Sequence, residues 1–153
     1  MAEVRIERAD ANAPESRQLI AELWVEIDQL YGNEIATAAE LPREQTARAI
    51  FVIARRGDAA VGCGALRPRT ATIAEAKRVY VRPSSRGHGI ARAIMHELEQ
   101  LARDAGFNEI WLETGLRQPA AIRLYESLGY TRIAAFGDYK DDPLSVCYGK
   151  RLE

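Results

Sequence analysis

The sequence predicts a mixed α/β fold, with a mainly antiparallel sheet, helices on its faces and one parallel crossover. Three strand-like segments follow one another between residues 49 and 81, joined by short turns, which is typical of an antiparallel meander. A long amphipathic helix then connects the third of them to another strand-like segment at residues 108–114. A strand, a helix and a second strand in that order indicate parallel pairing, so we expect both kinds of pairing in one sheet.

The first 32 residues predict a strand and a helix. In residues 3–8, "EVRIER", Val4 and Ile6 alternate with charged residues, which is the pattern of a strand with one buried face. Pro14 opens a segment whose apolar residues recur every three or four positions, so we expect a helix that ends near Gly32.

The remaining elements follow from turns and apolar periodicity. A short helix is predicted for Pro42–Arg48, and a hairpin turns at Arg56-Gly57-Asp58, with Gly62 and Gly64 marking a bulge or a close backbone approach. The third strand of the meander covers residues 72–81. A short helix at residues 118–129 and a final strand at residues 143–152 complete the order.

The composition limits the classes of partner. The chain has 153 residues and a formal net charge of −1, which suits one domain over residues 1–153 and gives no indication of a nucleic-acid surface. No apolar segment is long enough to cross a bilayer, so we expect no membrane partner and a cytoplasmic location. Cys63 and Cys147 form no metal-binding pair; both are expected to be buried apolar residues, with a reactive thiol as the alternative.

The loop before the long helix is the most informative segment. Arg86-Gly87-His88-Gly89 precedes a helix whose core residues begin at Ile90. The first backbone N–H groups of a helix lack partners within the helix and bind anions, and glycine lets an anion come close. With the guanidinium of Arg86, this predicts a phosphate or pyrophosphate site. The alternative is a tight strand-to-helix turn with a solvated arginine.

Two motifs resemble those of the GNAT superfamily of N-acetyltransferases. Residues 86–91, "RGHGIA", are similar to its Arg/Gln-x-x-Gly-x-Gly/Ala signature, and residues 118–130, "QPAAIRLYESLGY", are similar to its Asn-x-x-Ala-x-x-Leu-Tyr-x-x-x-Gly-Phe/Tyr segment, with Gln118 in the place of the usual asparagine. The resemblance implies a GNAT-like sheet with helices on both faces and acetyl-CoA as the acyl donor, without a metal. It also implies the coenzyme-binding residues: Val79, Tyr80 and Val81 for the pantetheine arm, Arg86, Gly87, His88, Gly89, Ile90 and Ala91 for the pyrophosphate, and Gln118, Ala121 and Tyr125 from the second motif.

Two residues are predicted to be catalytic. Glu75 lies four and six positions before Val79 and Val81, so alternation along the strand would place all three on one face; family members with a glutamate base carry it at this position. The alternative is an exposed glutamate paired with a neighbouring cation. Tyr125 occupies the family's place for the acid that protonates the departing thiolate, and its alternative is a core tyrosine.

The resemblance implies an N-acetyltransferase that moves an acetyl group to a primary amine of a small molecule or peptide by direct attack. The alternative function is a non-catalytic acyl-CoA-binding or sensor module, and a third is an interaction domain that binds another anion. The resemblance also suggests a homodimer, because dimers are common in this family. Asp28, Tyr31, Glu34 and Glu40 would suit a cationic amine, although a solvated helix end explains them as well. His88 and His96 receive no catalytic role.

Overall fold

The computed structural model describes residues 3–32 and 48–153, whose strands form one seven-stranded sheet. The strands are β1 (Val4–Arg8), β2 (Ile50–Arg56), β3 (Ala59–Pro68), β4 (Ile73–Val81), β5 (Glu109–Gly115), β6 (Thr131–Ile133) and β7 (Ser145–Arg151). The α-helices of the described ranges are α1 (Pro14–Tyr31), α2 (Ile90–Asp104) and α3 (Pro119–Ser127). The predicted mixed fold is therefore confirmed, whereas most of the helix expected at Pro42–Arg48, residues 42–47, lies outside the described residues.

The sheet order is β1-β2-β3-β4-β5-β7-β6, and its pairs are antiparallel except for β4 with β5. Helix α2 connects these two strands and makes the predicted parallel crossover. They pair only from Ile73 with Glu109 to Ala76 with Leu112. Beyond that point β4 stays paired with β3 and β5 with β7, so the two central strands separate toward their carboxyl ends.

A bulge in β4 decides which face each of its residues occupies. The register against β3 shifts between Cys63 and Ala65, and Arg78 has a left-handed backbone with φ of 56°. Val79 and Val81 consequently pack toward the cluster that contains α2. The extra residue breaks strict alternation, so Glu75 lies on the opposite face, and its expected position on one face with the two valines is wrong.

The helices cover both faces of the sheet. Helix α1 packs on one face through Leu19, Ile20 and Leu23, and α2 and α3 contribute to the larger apolar cluster on the other. The prediction for the glycines of β3 is confirmed, because a Cβ on Gly64 would lie 2.6 Å from Cγ2 of Ile94 in α2. Burial of these two clusters is what holds the layers together.

The end of α1 is fixed above the carboxyl end of β5. The hydroxyl of Tyr31 accepts a hydrogen bond from the backbone N–H of Arg117 at 3.2 Å and donates one to Oε1 of Gln118 at 3.3 Å. Gly115 leaves the space for this hydroxyl, since a Cβ there would come within 2.5 Å of the tyrosine ring carbon Cζ. These contacts place α1 across the gap between β4 and β5.

Strand β6 has no counterpart among the elements that the sequence predicts. This strand has only three residues, lies at the edge of the sheet and shows no buried alternation, so it carries almost no periodic signal. Within residues 3–32 and 48–153, no helix is long and apolar enough to span a membrane.

Candidate active site

A cleft of about 570 Å³ lies between the carboxyl half of β4, the start of α2 and the start of α3. The predicted coenzyme residues other than His88 line it, namely Val79, Tyr80, Val81, Arg86, Gly87, Gly89, Ile90, Ala91, Gln118, Ala121 and Tyr125. The structure thus brings together two motifs that are about 30 residues apart in the chain. Residues of α1 such as Leu23 and Glu26 also line the cleft, and the sequence motifs gave no indication of them.

The start of α2 has the geometry of an anion site. Gly87 and Gly89 have positive φ angles of 84° and 76°, a conformation that side chains disfavour. A Cβ at either position would meet no heavy atom within 4 Å, so the space above the loop is open. The helix has no side-chain cap at Gly89, which leaves the first backbone N–H groups to a ligand.

Arg86 lies at the entrance to this cleft in a fixed position. Its Nε donates to the carbonyl oxygen of Val81 at 2.8 Å, and its Nη2 donates to Oε1 of Glu26 at 2.6 Å. The guanidinium therefore ties the loop to the end of β4 and to α1. Its positive charge is present at the cleft as predicted, but the carboxylate of Glu26 partly compensates this charge.

A second chamber of about 350 Å³ opens on the other side of the gap between β4 and β5. Its walls come from α1, the ends of β3 and β5, the bulge of β4 and the turn after β6. The chamber and the cleft share Leu23, Val79, Gln118, Ala121 and Tyr125. The two spaces therefore meet where the central strands separate.

Glu113 is a half-buried carboxyl group of this chamber that the sequence motifs did not indicate. Burial raises its pKa to about 7, and the negative charges of Asp142 and Glu75 add to the effect, against the hydrogen bond from Ser145 and the charge of Lys77. The Ser145 hydroxyl donates to Oε2 of Glu113 at 2.6 Å. The position of Glu113 in the sequence could have indicated a functional role. It lies at the carboxyl end of a predicted parallel strand, and ligands often bind at such ends.

Glu75, the predicted base, has a different environment. Its side chain is fully buried, and it lines neither the cleft nor the chamber. It accepts hydrogen bonds from Nε of Arg67 at 3.2 Å and from the hydroxyl of Tyr139 at 2.9 Å, and it lies 3.6 Å from Nη1 of Arg69. The alternative of an exposed glutamate is therefore wrong, although its pairing with a neighbouring cation is found, since Nζ of Lys77 lies 3.9 Å from Oε2.

Tyr125 lies where the cleft and the chamber meet, and it is also well packed. Its side chain is 8% exposed, and its ring lies edge-on to that of Tyr130 with centroids 6.0 Å apart. Burial, together with the charge of Glu113, raises the pKa of Tyr125 well above its ordinary value. The hydroxyl therefore stays protonated at neutral pH and is available as a proton donor.

Several other predicted residues stand apart from these two spaces. Asp28, Tyr31, His88 and His96 line neither the cleft nor the chamber, and Glu34 and Glu40 lie outside the described residues. Gln118 keeps its place in the cleft with its carbonyl oxygen bound by Tyr31. In the described parts of the chain, no group of three or more His, Cys, Asp or Glu side chains could hold a metal ion.

Comparison with known proteins decides the family. The acetyltransferase (GNAT) family model matches residues 15–130. The chain belongs to this family. An IAA acetyltransferase from Azospirillum brasilense is 38% identical over 136 residues, which cover 88% of this chain and 89% of that protein. The resemblance found in the sequence is therefore confirmed, and this GNAT protein is an acetyl-CoA-dependent N-acetyltransferase.

Solved structures agree with the fold of this GNAT acetyltransferase. A crystal structure from Klebsiella pneumoniae subsp. pneumoniae MGH 78578, named as an acyl-CoA N-acyltransferase, has a TM-score of 0.85 and 33% identity and covers 100% of both chains. A GNAT acetyltransferase from Elizabethkingia anophelis with acetyl-CoA bound has a TM-score of 0.71 and 16% identity, covering 97% of this chain and 98% of its own. The latter supports the fold alone.

Proposed function

We propose that this GNAT acetyltransferase moves the acetyl group of acetyl-CoA to a primary amine of a small molecule by direct attack. The observation that carries the proposal is the meeting of the cleft and the chamber at Val79, Gln118, Ala121 and Tyr125. In this arrangement the coenzyme lies in the cleft with its pyrophosphate at Gly87 and Gly89, and the acceptor enters from the chamber. Backbone groups of β4 that β5 does not pair would hold the pantetheine arm.

Direct attack is favoured because the chain offers no thiol to carry the acetyl group. The sequence contains two cysteines, and both are buried and line neither space. The Cys63 thiol donates to the carbonyl oxygen of Arg78 at 3.3 Å, and burial raises its pKa to about 12. A protonated, enclosed thiol is a poor nucleophile, so the acceptor amine itself would form the bond to the carbonyl carbon.

We assign the role of proton acceptor to the carboxylate of Glu113 rather than to that of Glu75. Glu113 lines the chamber and its pKa of about 7 suits a base that works near neutral pH. An ammonium group entering the chamber would lose its proton to this carboxylate, attack the thioester and release the coenzyme thiolate. Tyr125, by resemblance to the family, would protonate that thiolate, and a backbone N–H near Tyr80 or Val81 would stabilise the oxyanion.

Calorimetric titration with acetyl-CoA tests the proposal first, with inorganic phosphate and NADPH as controls. We expect micromolar binding of acetyl-CoA alone, followed by release of free thiol when an amine acceptor is added. Binding of phosphate or NADPH with equal strength would contradict the coenzyme assignment. A cytoplasmic location, a single domain over residues 1–153 and a homodimer stay predictions from the sequence.

A further inference from the structure

Several polar side chains of the chamber wall converge on one carboxylate that does not face the chamber. Glu75 is fully buried and lines neither the chamber nor the cleft. The chamber-lining residues that lie within 3.9 Å of its carboxylate oxygens are Arg67, Arg69, Lys77 and Tyr139. Glu75 therefore supports the wall from behind, and the proton transfer assigned to Glu113 makes no use of it.

These contacts come from separate segments of the chain. Arg67 on β3 is the register partner of Glu75 on β4, and its Nε donates to Oε1 at 3.2 Å. Arg69 follows β3, with its Nη1 3.6 Å from the same oxygen. Tyr139 lies in the turn after β6 and donates its hydroxyl to Oε2 at 2.9 Å. One carboxylate therefore joins β3, β4 and this turn at a single point of the wall.

Aromatic contacts connect the same side chains to one another. The guanidinium of Arg69 lies over the ring of Phe136, 5.0 Å from its centroid. The Phe136 ring lies edge-on to that of Tyr139, with centroids 5.3 Å apart. Glu75, Arg69, Phe136 and Tyr139 thus form a closed ring of contacts. Such a network restricts the rotamers of its members, so this part of the wall is ordered before any ligand enters.

The partners of the Glu75 carboxylate are all hydrogen-bond donors or cations. A carboxylate removed from water is stable only when such groups replace its hydration. Buried charges paired in this way often contribute no more to stability than apolar side chains of similar volume. The contribution of Glu75 is therefore the geometry that it imposes on its partners, which lose their common anchor when the carboxylate is removed.

We propose that Glu75 is a positioning residue of the acceptor chamber, which holds Arg67, Arg69 and Tyr139 in the arrangement that binds the acceptor amine. The inference rests on the proposed function, which places the amine in the chamber and assigns its proton to Glu113. Loss of the Glu75 carboxylate should then weaken binding of the amine, because the wall must be ordered during binding. Coenzyme binding and the chemical step should be largely spared.

Steady-state kinetics of Glu75→Gln test this role at pH 8, where Glu113 is deprotonated. The probe is whichever of phenethylamine, phenylalanine and spermidine the wild-type protein acetylates with the highest kcat/KM. The amide keeps the size of the side chain, but it turns an N–H2 group toward partners that are themselves donors. We expect KM for the amine to rise at least about tenfold, kcat to fall by no more than about threefold, and the acetyl-CoA dissociation constant to stay the same.

Glu99→Gln is the matched control for the loss of a buried carboxylate. Glu99 is 5% exposed, accepts from the hydroxyl of Tyr130 at 2.9 Å and from Nζ of Lys150 at 3.1 Å, and lines neither space. This variant should lose thermal stability and keep KM for the amine. If Glu75→Gln does not fold, Glu75→Asp keeps the charge, withdraws the carboxylate from its partners and should show the same rise in KM with kcat preserved.

Nuclear magnetic resonance measures the order of the wall without an acceptor. Exchange of the Arg67 Nε–H with water should be slow in the wild type and at least about tenfold faster in Glu75→Gln, because one amide oxygen cannot serve both arginines and Tyr139. The exchange should be unaltered in Glu99→Gln.

The outcomes separate this inference from the proposed function. Equal changes of KM in Glu75→Gln and Glu99→Gln, or unchanged exchange of Arg67, would overturn the positioning role. A hundredfold or greater loss of kcat with KM unchanged, on the order expected when a general base is removed, would also overturn it and make Glu75 the base. Failure of the wild type to bind acetyl-CoA or to acetylate any of the amines would overturn the proposed function, and the exchange measurement would still decide whether Glu75 orders the wall.

Discussion

Arg86 and Glu26 form an ion pair at the cleft beside the start of α2, with Nη2 of the arginine 2.6 Å from Oε1 of the glutamate. Both side chains line the cleft. The pair joins the glycine loop before α2 to α1, so the helix that borders the chamber also contacts the cleft. In the proposed arrangement, the carboxylate would compete with the pyrophosphate of the coenzyme for the guanidinium.

The Glu26→Gln variant should therefore bind acetyl-CoA more tightly than the wild type, by roughly two- to fivefold, because a partly exposed ion pair contributes at most about 1 kcal/mol. Calorimetric titration measures the change. Glu22→Gln is the matched control: Glu22 lies one turn earlier on α1, pairs with Arg82 at 3.0 Å and does not line the cleft. An equal gain in both variants would mean that only the overall charge matters.

Gly89→Glu should weaken acetyl-CoA binding by at least about a hundredfold, because it places a negative charge where we propose that the pyrophosphate lies, and a side chain at a positive φ. Titration of the purified variant with acetyl-CoA checks this. Gly57→Glu is the control for strain, since Gly57 has φ of 61°, meets nothing within 4 Å of a Cβ and lies in the hairpin after β2. Unchanged affinity in Gly89→Glu would remove the pyrophosphate assignment of the loop.

Tyr125→Phe should lower kcat by about ten- to a few hundredfold and leave the acetyl-CoA dissociation constant nearly unchanged, because only a proton donor is lost. Steady-state kinetics and calorimetry together measure both quantities. In the control, Tyr130→Phe removes a neighbouring hydroxyl that donates to Glu99 at 2.9 Å and lines neither space. This control should lose stability while keeping kcat. Full turnover of Tyr125→Phe would make Tyr125 a packing residue.

The features that the sequence predicted are those with a local signal. Glycines at a helix start, alternation along strands and a recurring apolar helix face depend on neighbouring residues. The glycine loop before α2, the meander and the crossover could therefore all be placed. The same signals identified residues 79–81 as the end of a strand. The loop and strand residues that line the cleft could therefore be named from the sequence.

The acceptor half depends on long-range register. The bulge at Arg78 moves Glu75 to the other face of the sheet, and nothing in the residues 75–81 indicates a left-handed arginine. Arg67 and Arg69 meet Glu75 because β3 pairs with β4 in one register, and Glu113 reaches the chamber because β5 leaves β4 after Leu112. Such contacts depend on how the strands pair and pack. Alternation along a single strand carries no information about either.

The proposed role of Glu113 predicts a pH dependence of kcat/KM that distinguishes it from Glu75, the other candidate base. The wild-type kcat/KM should rise with pH and level off above about 7, where Glu113 is deprotonated. Glu113→Gln should lose activity by about a hundredfold or more and abolish this inflection. Glu109→Gln, at the other end of β5, is the control and should retain the inflection. If Glu75→Gln removes the inflection and Glu113→Gln does not, the first prediction of Glu75 as the base is right.

The same carboxyl group should make folding stability depend on pH. The pKa of Glu113 is raised from 4.5 to about 7 in the folded protein, so the folded chain binds more protons than the unfolded chain between these values. Its contribution is present below about pH 4.5 and is lost as pH rises through 7, so this group lowers the free energy of unfolding as pH increases. Urea unfolding at pH 5 and pH 8 measures the difference. The difference should shrink in Glu113→Gln, whose amide does not titrate, and stay unchanged in Glu109→Gln; an undiminished difference in Glu113→Gln would mean that other groups carry the dependence.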